Sequence, residues 1–432
     1  MKRTLRTLVS LLVSIPLAVA ILVGLSYYAK SDENIPNPAI TAIGQQVKPA
    51  GYDWREPVFG GLVHRRFTRA LPTMAEALGE LNETHLRLDI PEGYEADAAV
   101  YVAGIEVWSG SAADLASYQF LDNGNYLLQV ECRRPQTEDA TVGWGSFSYQ
   151  FAFDVTVEPR MEVSDEWVGQ GDVMAIRLKN LAPGAAPEAR TILGQVNFVP
   201  TGDGSMTGYV PIGHDCETGI YPVTVTVDRF SWTVDLRVVE GSFAVQNVVL
   251  PEEEAGRVLN ADDPLAYSAT SEVILPLLEE VEPYQHWSGI FEMPAKGDII
   301  TGYGLIRYVN GGRTATRHTG VDIGARWGSA VTAPNAGVVV YTGSLPGCGN
   351  TVVVAHGGGL KSLFFHLSEI DVEEGDALVK GQSIGAVGQT GAAETPHLHY
   401  EVRMGAATLN PMALFNGTSK LYYFESRQVP DA

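Results

Sequence analysis

The sequence predicts a mostly β, multidomain chain: an N-terminal transmembrane helix, tandem immunoglobulin-like β-sandwich modules, then a compact antiparallel β domain. Three observations predict it. Residues 7–29 carry no charge and are largely apolar, residues 86–250 alternate apolar and polar positions between frequent turns, and residues 287–416 pass to short β runs separated by glycines. A chain of 432 residues is long for one domain and fits roughly two to four. The net charge of −22 excludes nucleic acid as the expected partner, because phosphates would be repelled.

The elements follow in order. Residues 1–30 form the anchor or signal: Lys2, Arg3 and Arg6 precede the run "TLVSLLVSIPLAVAILVGLSYYA", which ends at Lys30. A spanning helix needs about 20 apolar residues, and the positive flank sets the N-terminus in the cytoplasm with the rest of the chain in the envelope. A cleaved signal ending near Ala18-Val19-Ala20 is the rival reading, but the apolar run continues past Ala20. Residues 31–85 read as a linker with a short helix near "TMAEALGEL". Residues 86–158 and 159–250 each hold a Gly-x-Tyr followed by two alternating strands, "GNYLLQVEC" with "FSYQFAFDVTVEP" and "GIYPVTVTVD" with "FSWTVDLRVVEG". Two tandem sandwiches give this pattern, with Tyr126 and Tyr221 at candidate tyrosine corners. Residues 251–286 are an acidic linker and a helix interrupted or ended near Pro276, and residues 417–432 a C-terminal tail. The three cysteines, Cys132, Cys216 and Cys348, form no CxxC pair. A Cys132–Cys216 bridge is left open.

Chemistry concentrates in residues 287–416, where five of the nine histidines lie. In "TPHLHYEVR" the side chains repeat every two residues along a strand, so His397, His399 and Glu401 share one face. "RHTGVDIGA" places His318 four residues before Asp322, and "SLFFHLSEI" ends an apolar strand on His366. Hydrolytic zinc sites take three ligands from His and Asp or Glu and leave a fourth position for water. Two further histidines would then serve proton transfer and oxyanion stabilisation.

These motifs, with "HWSGIFEMPAKGDIITGYG", "GVVVYTG", "GNTVVVAHGGG" and "VEEGDALVKGQSIGAVGQTG" between and around them, resemble the catalytic domain of lysostaphin/LytM-type zinc metalloendopeptidases. The resemblance covers some 130 residues, under a third of the chain. It implies a compact antiparallel β domain that binds one Zn2+ and hydrolyses amide bonds in peptidoglycan peptide cross-links. Carried over residue by residue, His318, Asp322 and His399 are the implied metal ligands. His366 and His397 are the implied catalytic histidines, one the general base for a zinc-bound water, the other a donor to the tetrahedral intermediate; which is which stays open. The implied partners are peptidoglycan peptides and, through the N-terminal helix, the membrane.

Other residues are weaker candidates. Glu401 is placed to orient an imidazole, and Tyr303 and Tyr308 are oxyanion candidates that read better as packed tyrosines. His356 reads as a turn-edge residue. Glu394-Thr395 before Pro396, Tyr303 in "TGYG" and Cys348 in "PGCGN" depart from the family pattern without removing a ligand. The alternative function is a non-catalytic wall-binding or amidase-activating module on the same fold. A third reading makes the sandwiches an envelope scaffold.

Overall fold

A computed structural model describes residues 2–81, 83–251, 262–311 and 315–424. The chain is mostly β and divides into two compact units, Met1–Glu158 and Pro159–Ala432.

The first unit begins with the helix Lys2–Ala29. Its stretch Ser10–Ala29 is long and apolar enough to cross a membrane, a property that signal sequences share. Arg65 Nη1 donates to the carbonyls of Tyr27 (2.7 Å) and Lys30 (2.6 Å), satisfying acceptors at the helix end.

Residues 31–85 are not a linker. They hold the strands Ile40–Ala42, Gln45–Val47, Gly51–Val58, Val63–Arg69 and Glu76–Leu81. The helix expected at "TMAEALGEL" is the last of these, and Gly79 explains the misreading. Its φ of +85° makes a bulge that shifts the register between Ala77 and Glu80. Leu78 and Leu81 thereby both reach the core at a helix-like spacing. This strand adds in parallel to residues 151–155 of Trp144–Val155, while Gly51–Val58 pairs with residues 144–148 along the same strand. Seven of the unit's strands thus form one hydrogen-bonded sheet, and Ile40–Ala42 with Gln45–Val47 form a separate two-stranded one. Tyr126 donates to the carbonyl of Asp122 (2.9 Å), and Tyr221, in the second unit, to that of Glu217 (2.8 Å), the same four-residue reach back.

The second unit joins two layers that the sequence suggested as separate domains. Its first part is two four-stranded sheets packed on Ile176, Leu178, Val210, Val223 and Leu236. Its second part is an eight-stranded sheet whose centre runs Val321–Gly324, His397–Met404, Leu360–Leu367, Gly349–Gly357. Both parts belong to the one compact unit Pro159–Ala432. Val245–Val248 pairs in parallel with Ile306–Val309, and Val173, Ala175 and Tyr209 belong to the same buried core as Val321, Tyr400 and Leu409.

Both faces of the large sheet are covered. One meets that core. On the other, the helix Ser268–Glu279 lays Ile274 and Leu278 against Cys348, Val353, Leu363 and Phe365. The helix runs through Pro276 to Glu279 rather than stopping there. Nor are residues 417–424 a loose tail, because Leu421, Tyr422 and Phe424 are buried in the main core. All three cysteines are free.

Candidate metal centre

The strand His397–Met404 presents His399 and Glu401 on the face away from Leu398 and Tyr400. Its antiparallel register with Val321–Gly324 sets Asp322 directly opposite His399. His318 arrives from the preceding segment, held by backbone bonds to Gly304 and Leu305. The chain bends between them at Gly320, where a Cβ would stand 2.3 Å from the carbonyl oxygen of Tyr400. Only glycine lets the segment pass so close.

Three side-chain atoms meet there. His318 Nε2 lies 3.2 Å from Asp322 Oδ1, His399 Nδ1 lies 2.8 Å from the same oxygen, and the two nitrogens are 3.1 Å apart. Among the described residues these three form a group able to hold a metal ion. Ligand atoms about 2.1 Å from a tetrahedral ion stand about 3.4 Å apart, so the triangle is close to the size required.

The second nitrogen of each imidazole fixes its tautomer. His318 Nδ1 is 3.1 Å from the Gly302 carbonyl, which can only accept, so this nitrogen carries the proton. His399 Nε2 donates to Glu401 Oε1 at 3.1 Å. The remaining lone pairs, on His318 Nε2 and His399 Nδ1, therefore face each other beside a carboxylate oxygen. That arrangement is repulsive without a cation between them. Burial opposes charge on His399, yet the hydrogen bonds and charges of Asp322 and Glu401 prevail and lift its pKa to about 9. The site draws positive charge, whether a proton or a metal.

Glu401 is itself clamped. Thr319 Oγ1 donates to Oε1 (2.5 Å) and Arg403 Nε to Oε2 (2.5 Å), all on fully buried side chains. Burial pushes its carboxyl up, but Arg403 and His399 outweigh that and hold it far below the usual range. Thr319 and Arg403 were not singled out from sequence. The only signal for Arg403 was the two-residue alternation that carries His399 and Glu401 on to it.

His366 and His397 stand beside this group, their ring centres 4.9 Å apart. His366 Nδ1 donates to the Thr390 carbonyl and His397 Nδ1 to that of Thr395, both at 2.8 Å. The Nε2 of His366 is left as an acceptor; that of His397 is 3.8 Å from Asp322 Oδ1. Burial, then the neighbouring His399 and His397, depress the His366 pKa to about 3. His366 also has φ +63°, a left-handed backbone that is uncommon outside glycine.

The five residues open onto a groove of about 310 Å³. Its far wall includes Gln246, Asp262 and Arg307, none of which sequence reasoning identified. Arg307 and Thr316 both bond to the buried Asp262 carboxylate. Glu394 and Thr395 line the rim.

Tyr303 is not an oxyanion donor. Its ring is buried against Phe243 and its hydroxyl donates to the Thr408 carbonyl at 2.8 Å. Tyr308 follows Arg307 on the strand Ile306–Val309 and so takes the face opposite the groove-lining Arg307. His356 is no turn-edge residue: it is fully buried, between the Ala336 carbonyl (2.7 Å) and the Ser362 hydroxyl (2.8 Å). Cys348 is inert, its thiol pushed up to about 12 by burial and the nearby Glu401 charge.

A three-ligand centre at the foot of a groove in an antiparallel β domain is the build of a metallopeptidase. Residues 316–411 match the family described as Peptidase family M23, and the chain carries a peptidase M23 domain. The DD-carboxypeptidase/endopeptidase Mpg of Neisseria meningitidis is 39% identical over 104 residues, 24% of each chain. The murein hydrolase activator NlpD of Salmonella dublin is 29% identical over 168 residues, 37% of this chain and 42% of its own. The match thus spans less than half the length of either relative. A solved structure of a putative peptidase M23 from Pseudomonas aeruginosa is 25% identical with a TM-score of 0.43, covering 58% of this chain and 95% of that one.

Proposed function

We propose that this protein is a zinc-dependent endopeptidase of the cell envelope that hydrolyses amide bonds in peptidoglycan peptide cross-links. The observation that carries the reading is the convergence of two imidazole lone pairs and one carboxylate oxygen within 3.2 Å of one another. His318, Asp322 and His399 would hold the ion, with Glu401 fixing the ring of His399. Bound there, zinc would supply Lewis acidity for the scissile carbonyl and make the attacking water a stronger acid.

The chain's own groups divide the proton work. With Nδ1–H committed to Thr390, His366 meets the groove through a bare Nε2. We assign it as the proton acceptor. His397, on the open rim, donates to the developing oxyanion only when Nε2 is protonated, because its Nδ1–H is held by Thr395. The far wall, with Arg307 and Gln246, orients the peptide.

The helix Lys2–Ala29 would anchor the enzyme with its N-terminus in the cytoplasm and the groove outside, where the wall substrate lies. The Neisseria relative, named a DD-carboxypeptidase/endopeptidase, supports the substrate class. The relative named a murein hydrolase activator supplies the second reading, a non-catalytic activator; a complete five-residue set weighs against it. The decisive experiment incubates the full chain with purified sacculi and identifies released termini by mass spectrometry. New amino termini from cross-linked peptides, abolished by a chelator and restored by zinc, are expected. Intact sacculi, with amidase stimulated in a mixed assay, would establish the activator reading instead.

A further inference from the structure

A second polar pocket, of about 240 Å³, lies away from the metal centre and is bounded by Arg177, Thr207, Tyr209, Leu421 and Phe424, among others. The strand Val173–Lys179 explains how an arginine came to be there. Its alternate residues Met174, Ile176 and Leu178 fill the sandwich core, while Val173 and Ala175 enter the core shared with the peptidase layer. Arg177 is next on that second row, and only 7% of it is exposed. In the antiparallel register Thr207 is its direct partner, so the two side chains stand together on one face.

Neither is satisfied. Arg177 Nε and Thr207 Oγ1 are both buried and have no hydrogen-bond partner. The guanidinium lies 4.5 Å over the Phe424 ring, which satisfies its face but not its Nε–H edge. Among the described residues no carboxylate lies within ion-pair distance of it. Asp203 feels its charge, but the Asp203 Oδ1 atom is taken by Thr201 and Ser205. Nature rarely leaves a desolvated cation without an acceptor.

We propose that this pocket binds a carboxylate, with the Arg177 fork taking its two oxygens and the Thr207 hydroxyl donating to one of them. A single arginine matches one negative charge, and its planar fork matches carboxylate geometry. Phosphate would bring up to two charges to a site with one cation. The Phe424, Leu421 and Pro200 walls fit a short apolar group beside the carboxylate, as at the end of a peptide. The carboxylate can come from a separate peptide or from Glu425, the next residue of this chain after Phe424.

The test uses the full-length protein in detergent, titrated with N-acetylalanine, with its neutral amide N-acetylalaninamide, and with inorganic phosphate, read by calorimetry and melting midpoint. The acid should bind saturably and raise the midpoint; the amide should not, and phosphate should do so more weakly. Arg177→Met keeps the contact with Phe424, so it should melt no lower than the parent, having lost a buried unpaired charge, and should ignore the acid. Binding that appears only after Glu425→Gln assigns the carboxylate to the chain itself; equal binding in both assigns it to a separate peptide. The proposal is overturned by equal responses to acid and amide, by a response retained in Arg177→Met, by a stronger response to phosphate, or by no response in the parent and Glu425→Gln alike.

Discussion

Two pairs of strands in the second unit look alike in sequence and behave differently. The hairpin Gly219–Val227 with Phe230–Val239 alternates: Val223, Val225, Leu236 and Val238 are buried, while Thr226, Thr233 and Arg237 on the other face meet solvent or its edge. The pair Leu360–Leu367 with His397–Met404 is buried along nearly its whole length on both faces. A polar residue on the hairpin's outer face is hydrated and needs no protein partner. On the peptidase pair the helix Ser268–Glu279 has excluded water, so Glu401, Arg403 and His399 must satisfy one another. The same two-residue period thus yields a solvated surface in one place and a candidate metal centre in the other. What differs is the cover, which is supplied by a helix distant in the sequence.

The largest test of this contrast removes a group from the doubly covered strand. His399→Ala deletes a proposed inner ligand and leaves Asp322 and Glu401 without their shared partner. Metal measured by elemental analysis after dialysis should fall to background, and hydrolysis of sacculi with it. Full occupancy in this variant would remove the centre from its assigned place. His366→Ala and His397→Ala come next. Neither residue completes the three-atom group, so metal content should persist while the rate falls about 100-fold or more for each.

A smaller effect is expected one step out from the ion. Glu401→Gln keeps an oxygen for His399 Nε2–H but removes the negative charge and weakens the clamp to Arg403. Metal affinity should drop about 10- to 100-fold, measured by competition with a chromophoric chelator. The pH dependence sharpens this. With the His399 pKa raised to about 9, each ion entering below that pH displaces a proton, so affinity rises with pH and levels off near 9. In metal-free protein the sign is opposite. Protonated His399 contributes stability that is fully present below its unfolded value of about 6.5 and is lost as pH rises through about 9. Glu401→Gln removes one of the two groups that lift this pKa, so both transitions should move to lower pH.

Much of the centre was legible because strands have a rigid two-residue period. "HLHYEVR" alone put His399 and Glu401 on one face, and the structure joins them at 3.1 Å. The backbone acceptors Gly302, Thr390 and Thr395, which set three of the histidine tautomers, were not legible, since every residue has a carbonyl and only the fold aims it. The same holds for the union of sandwich and peptidase layers. Val173 and Ala175 read as ordinary strand residues, and nothing local says that their face meets another layer rather than water. At Glu76–Leu81 a single left-handed glycine turned a strand into a convincing helical spacing. Local pattern gives the period of an element; its cover is a long-range property.

The smallest expected effect comes from the other member of the comparison. Thr224 and Thr233 are opposite one another on the hairpin, and their hydroxyls are 2.9 Å apart at the exposed surface. If solvent is what makes this face permissive, the bond is replaceable by water and the two residues serve chiefly as β-branched strand formers. Thr224→Val keeps the branched shape and removes the hydroxyl, leaving Thr233 to bond water. The change in unfolding free energy should stay within about 0.5 kcal/mol, read from urea denaturation of the full chain, with metal content unaltered. A loss of about 2 kcal/mol, the scale on which burying an unpaired hydroxyl costs, would mean that this face is covered too. The distinction between a solvated and a covered strand face would then have been drawn in the wrong place.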